Sequence, residues 1–98
     1  MSWKERTELL LGDEAVSKLA HSHVLIAGLG GVGGMVTEML VRAGIGEITI
    51  IDADTIHDSN RNRQLIALSS NDGHSKAEEW RKRLTDINPE LKVHVIAE

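Results

Sequence analysis

The sequence predicts an α/β fold: a Rossmann-like, doubly wound parallel sheet, of which this chain supplies the N-terminal β-α-β-α-β portion preceded by short helices. Three observations carry that reading. A short branched apolar run, Val24-Leu25-Ile26-Ala27, leads directly into Gly28-x-Gly30-x-x-Gly33, with Gly31 and Gly34 also glycine. Strand, glycine turn and helix in that order make the pattern more than a chance spacing. A second apolar run, Glu47-Ile48-Thr49-Ile50-Ile51, follows after enough residues for a crossover helix, so the two strands should be parallel and the connection right-handed. The third run, Lys92-Val93-His94-Val95-Ile96, repeats the unit.

Taken in order, residues 1–22 read as an N-terminal helical segment and residues 23–98 as the start of the sheet domain. Ser2 and Glu5 have the spacing of a capping box, and Asp13 suits the cap of a second short helix carrying Val16 and Leu19. Arg6, Leu10 and Gly12 form an R-x-x-x-L-x-G pattern; taken alone, such an arginine is a solvated helix charge. The first strand is short and apolar throughout, as expected of a buried parallel strand. Val32, Met35, Val36, Met39, Leu40 and Ala43 then recur at helical spacing, and Gly44 stands where a helix would end. Glycines let that turn be tight and let a phosphate approach the backbone N–H groups at the helix N-terminus, where the dipole favours an anion. A glycine-rich turn that binds nothing is the plainer alternative.

The second strand ends at Asp52-Ala53-Asp54. Asp52 lies 24 residues beyond Gly28, near where a dinucleotide fold places the acid that holds a ribose hydroxyl; a simple turn aspartate is the alternative. Residues 53–73 read as loop with one helical turn. They include Ser59-Asn60-Arg61-Asn62-Arg63-Gln64, whose guanidinium forks and amides suit polyphosphate oxygens, although most such runs are polar surface. Ser75 and Glu78 form another capping box, and Ala77, Trp80, Leu84 and Ile87 make one helical face up to Asn88-Pro89. Lys76 therefore sits in a helix's first turn, where a cation opposes the dipole, an arrangement that suits a lysine meeting an anion.

Composition narrows the function. The 98 residues make one domain at most, and 41% hydrophobic with 27% charged residues is ordinary for a globular protein. Trp3 and Trp80 are the only aromatic residues, so the core must be aliphatic. A net charge of −4 gives no global attraction to nucleic acid, so any phosphate or RNA binding needs a local patch. No cysteine is present, which excludes disulfides, thiolate metal sites and a cysteine nucleophile within these residues. The histidines 21, 23, 57, 74 and 94 lack metal-ligand spacing, so no metal ligand is assigned among these residues and the histidines are read as surface or strand positions. No membrane span or signal-peptide pattern is visible, and the expected location is cytoplasmic.

With G-x-G-G-x-G, D-x-D, S-N-x-x-R-Q, G-x-x-K and I-N-P in this order, the chain resembles the ubiquitin-activating-enzyme-like superfamily, the MoeB/ThiF adenylyltransferases, over essentially its whole length. The run Asn60 to Leu68 followed by Lys76-Ala77-Glu78 looks most like the tRNA-modifying branch, the threonylcarbamoyladenosine dehydratases. That branch uses ATP to activate the threonylcarbamoyl carboxylate of a modified adenosine in tRNA for cyclisation. The resemblance implies that Gly28, Gly30, Gly31 and Gly33 approach ATP, that Asp52 and Asp54 belong to the nucleotide site with Asp52 on the ribose, and that Asn60 and Arg63 contact phosphates. It places Lys76 along the α-phosphate and Arg6 in trans, reaching the partner subunit's ATP in a homodimer. Arg63, Lys76 and Arg6 are thus the expected catalytic residues, with Mg2+ held by an aspartate beyond residue 98. By this resemblance the chain is the N-terminal part of an ATP-binding domain that continues past Glu98, and alone it should be inactive. Three other readings stay open: activation of the C-terminus of a ubiquitin-like sulfur-carrier protein, an NAD-binding oxidoreductase fragment, and a non-catalytic binding module. Arg63 and Lys76 weigh against the oxidoreductase, since hydride transfer needs no cations aimed at a triphosphate.

Overall fold

A computed structural model describes residues 3–57 and 61–97. Two short helices, α1 (Glu5–Leu11) and α2 (Asp13–Ala20), precede β1 (His23–Ala27), α3 (Gly31–Ala43), β2 (Glu47–Ile51), a 3-10 turn at Ser69–Asn71, α4 (Lys76–Ile87) and β3 (Lys92–Ile96). The sheet is three-stranded in the order β1-β2-β3 and parallel throughout, with His23 opposite Glu47 and Glu47 opposite Lys92. The α/β, Rossmann-like expectation therefore holds.

Side chains alternate across the sheet. Ile48 and Ile50 are fully buried on the face that α3 and α4 cover, with Ile26, Val93 and Val95 packed beside them. The core is aliphatic around one ring: Trp80 from α4 is buried together with Leu29, Val41, Ile56, Ala77 and Leu84. The opposite face carries His23, Leu25, Glu47, Thr49, Lys92 and His94, none of them buried. β1, read as a buried strand, is thus covered on one face only, and Leu25 is 62% exposed.

Two further expectations change. The residues of α3 that pack inward are Gly34, Thr37 and Val41, whereas Val32, Met35, Val36 and Met39 are exposed. Small residues let α3 approach Trp80 and the sheet closely, so the apolar stripe turns away from them. At the amino end, α1 begins after Lys4 and α2 after Gly12, neither with a side-chain cap. Asp13 is the first residue of α2 rather than its cap, and Ser2 lies outside the described residues. α3 ends as expected, at Gly44 in the left-handed region.

Candidate functional site

The C-terminal ends of β1 and β2 and the start of α4 meet at one end of the sheet. Gly28 leaves β1 with its N–H bonded to the Ile51 carbonyl at 2.8 Å and turns with φ +89°. Gly28 and Gly30 are exposed, while Leu29 between them is wholly buried and anchors the turn. A Cβ on Gly33 would run into the Gly28 carbonyl, so only glycine lets α3 start this close to the turn. α3 carries no acidic residue in its first turn, which leaves its positive dipole end uncompensated by side chains.

Asp52 organises the surroundings. Its Oδ2 accepts the Leu29 N–H at 2.7 Å and its Oδ1 accepts the Asp54 N–H at 2.8 Å. One carboxylate thereby ties the glycine turn to the loop after β2, and each oxygen keeps acceptor capacity for a further donor. That loop pairs with the segment before α4: Thr55 bridges Ser75, and the Ile56 N–H bonds to His74 O at 2.8 Å. Ser75 caps α4 by accepting the Glu78 N–H at 3.4 Å. The reciprocal half of the capping box is not made to the cap; the Glu78 carboxylate pairs with Arg81 instead.

Lys76 is held at this junction. Its N–H bonds to Asp54 O at 3.0 Å and its Nζ lies 3.9 Å from Asp54 Oδ2. The lysine side chain is only 5% exposed, against 75% for Asp54, so the stem is packed while its charge is turned toward the exposed carboxylate. Arg63 comes near by its backbone: its carbonyl would stand 3.4 Å from a Cβ on Gly31, the first residue of α3. Its guanidinium bonds to Asn62 Oδ1 at 3.0 Å and its side chain is exposed.

Of the residues singled out from sequence, Gly28, Gly30, Gly31, Gly33, Asp52, Asp54, Arg63 and Lys76 come together at this end of the sheet. Asn60 lies outside the described residues. Arg6 does not join them: it is exposed on α1, and the start of α1 lines a cleft with Asn88, Pro89 and Glu90 at the far end of α4. Sequence reasoning missed Asn71. This buried amide donates to Ile66 O at 2.7 Å and accepts the Leu68 N–H at 2.8 Å, closing the turn that follows the arginine loop. Its only visible signal was an asparagine among the turn-forming residues of Ser69-Ser70-Asn71-Asp72.

The sequence profile of the ThiF family matches residues 5–98. The chain belongs to the ThiF family. Among curated relatives of this ThiF chain, the tRNA threonylcarbamoyladenosine dehydratase of Escherichia coli K12 is 43% identical over 98 residues, spanning 97% of this chain and 37% of its own length. The molybdopterin-synthase adenylyltransferase of the same strain is 42% identical over 82 residues, 84% of this chain and 32% of its own. The crystal structure of the E. coli dehydratase in complex with ATP superposes with a TM-score of 0.93 at 42% identity, covering 98% of this chain and 41% of that one. E. coli MccB, 32% identical, gives a TM-score of 0.91 over the whole chain and 31% of its own. The ThiF chain thus spans well under half the length of these relatives.

Proposed function

We propose that this ThiF chain forms the phosphate- and ribose-binding part of an ATP-dependent adenylating enzyme, and that the carboxylate activated is the threonylcarbamoyl group of a modified adenosine in tRNA. One observation carries the reading: Asp52 joins the glycine turn to Asp54, and Asp54 in turn holds Lys76. A phosphate chain lying on the α3 N-terminus would then have the Lys76 ammonium at its side and the Asp52 carboxylate within reach of a ribose hydroxyl. In the reaction, a carboxylate oxygen forms a bond to the α-phosphorus and the bond to the bridging oxygen breaks, releasing pyrophosphate. Fixed cations and backbone N–H groups stabilise the charge that builds on the phosphoryl oxygens. Lys76 has this role, Arg63 and Asn60 bind the outgoing phosphates, and Arg6 serves the partner subunit's site in a homodimer, consistent with its position far from its own.

Magnesium accompanies ATP in such chemistry, but among the described residues the carboxylates at this end form no cluster that could hold it. Both oxygens of Asp52 accept backbone N–H groups and Asp54 faces Lys76.

The relatives favour the tRNA acceptor, since the tRNA threonylcarbamoyladenosine dehydratases of three bacteria are 43–45% identical to this chain. Activation of a ubiquitin-like sulfur-carrier protein is the second reading, supported by the 42% identity to a molybdopterin-synthase adenylyltransferase. The deciding experiment is exchange of labelled pyrophosphate into ATP by the full-length protein. Exchange that depends on tRNA bearing threonylcarbamoyladenosine supports the first reading, and exchange that depends on a carrier protein with a free C-terminus supports the second. NAD binding with no ATP binding in calorimetry would sink both.

A further inference from the structure

The uncovered face of the sheet carries a separate cluster, at the end opposite the glycine turn. His23 opens β1 in register with Glu47 at the start of β2, and His94 on β3 is in register with Thr49. Alternation puts all four side chains on one face. One nitrogen from each of the two imidazoles and one Glu47 oxygen lie within 4.8 Å of one another. His94 Nε2 is 2.7 Å from Glu47 Oε2, and His23 Nδ1 is 3.8 Å from the same oxygen. The other nitrogen of His23, Nε2, sits 2.7 Å from Thr49 Oγ1. With Nε2–H donating to Thr49, the lone pair of His23 resides on Nδ1, the nitrogen nearer Glu47. The two rings are 5.7 Å apart and tilted by 41°, so they converge without stacking face to face.

We propose that His23, Glu47 and His94 hold one divalent first-row transition-metal ion of the zinc type. The ligands are His23 Nδ1, the Glu47 carboxylate and His94 Nε2, with water in the remaining position. Two imidazoles and one carboxylate suit such an ion better than calcium or magnesium, which prefer oxygen throughout. The two imidazoles are about half exposed and the Glu47 side chain is 33% exposed, so the fourth position opens to solvent. Binding widens the His94–Glu47 contact from 2.7 Å toward the roughly 3.3 Å that separates two ligands of a tetrahedral zinc. His94 frees Nε2 by moving its proton to Nδ1 or, if it starts as imidazolium, by losing one to solvent. Thr49 acts from behind as the group that fixes the His23 tautomer. An ion so placed pins all three strands together at this end.

The test is calorimetric titration of the chain with zinc chloride, with cobalt(II) as an optical probe of coordination. The expected result is one ion per chain, cobalt absorption of tetrahedral intensity, and binding at least tenfold weaker in each of His23→Ala, Glu47→Gln and His94→Ala. His57→Ala, outside the cluster, should bind like the wild type. Zinc should also raise the melting temperature of the wild type and leave that of Glu47→Gln, a near-isosteric change, unmoved. Wild-type affinity in His94→Ala, an equal loss in His57→Ala, or no binding at millimolar zinc would overturn the proposal and leave the trio as a hydrogen-bonded ladder between strands.

Discussion

Lys76 concentrates the tension between stability and chemistry at the scale of single residues. Sequence alone places it in the first turn of a helix, where a cation is slightly unfavourable and a structural role is not expected. The structure buries its stem to 5% exposure and sets its ammonium 3.9 Å from an exposed carboxylate. An exposed partner screens the pair, so the ion pair itself contributes little, and the packing of the methylenes is the larger structural part. Lys76→Met separates the two roles, since it keeps the stem and removes the charge. Pyrophosphate exchange by the full-length protein should fall by about 100- to 1,000-fold, the usual loss when a fixed donor to a developing oxyanion is removed. The free energy of unfolding should change by less than about 1 kcal/mol. Wild-type exchange rates in that variant would return Lys76 to the ordinary lysines that merely pack.

Elements meet at two contacts that decide how α3 and α4 lie on the sheet. A Cβ on Gly34 would stand 2.7 Å from Cζ2 of Trp80, a ring that is 1% exposed and has nowhere to move. Alanine's better helix propensity offers about 1 kcal/mol, while overpacking of this kind costs about 1–3 kcal/mol, so Gly34→Ala should lower stability in urea denaturation. The second contact is Glu38 of α3, which accepts from Arg83 of α4 and from Arg42 one turn away. The Arg83 hydrogen bond, with Arg42 adding to it, holds the Glu38 carboxyl below its ordinary value of 4.5. A carboxyl depressed in the folded state stabilises fully above its unfolded pKa and loses that contribution as pH falls through the folded one. Stability should therefore fall as pH drops below about 4.5, and Glu38→Gln should flatten that part of the acid-unfolding profile. The strands, the crossover helices and the glycine turn were legible because each leaves a local pattern of period or residue type. The inward face of α3 was not, since contact through Gly34 and Thr37 carries no hydrophobic signal. The meeting of His23, Glu47 and His94 was equally hidden, because register between strands distant in sequence has no trace in spacing along the chain. Arg63 and Lys76 were readable as cations without an evident structural use, whereas the part of Asp52 that orders the loop needed coordinates.

For the molecule as a whole, the sheet ends at β1, which has a neighbour on one side only among the described strands. Its edge offers unpaired N–H and C=O groups of the kind that recruit another strand. Apolar side chains flank that edge on both faces: Leu25 is 62% exposed on the uncovered face, and Val32 and Met39 on α3 are 79% and 66% exposed. Parallel sheets are normally covered on both faces, and burying such side chains is worth about 1.5–3 kcal/mol each. The same edge borders the glycine turn, so the phosphate site proposed above would have a floor at the α3 N-terminus and one flank from Asp52 and Lys76. The 98-residue chain on its own should therefore self-associate at micromolar concentration and bind ATP more weakly than the longer relatives do. Light scattering with ATP titration measures both. A charge placed on the exposed face, Leu25→Lys, should shift the chain toward monomer without restoring ATP affinity, because it blocks strand addition and builds no second flank. A wild-type chain that stays monomeric and binds ATP at about micromolar affinity, roughly −8 kcal/mol, would mean that β1 is a finished edge and that the turn, Asp52 and Lys76 suffice for the nucleotide.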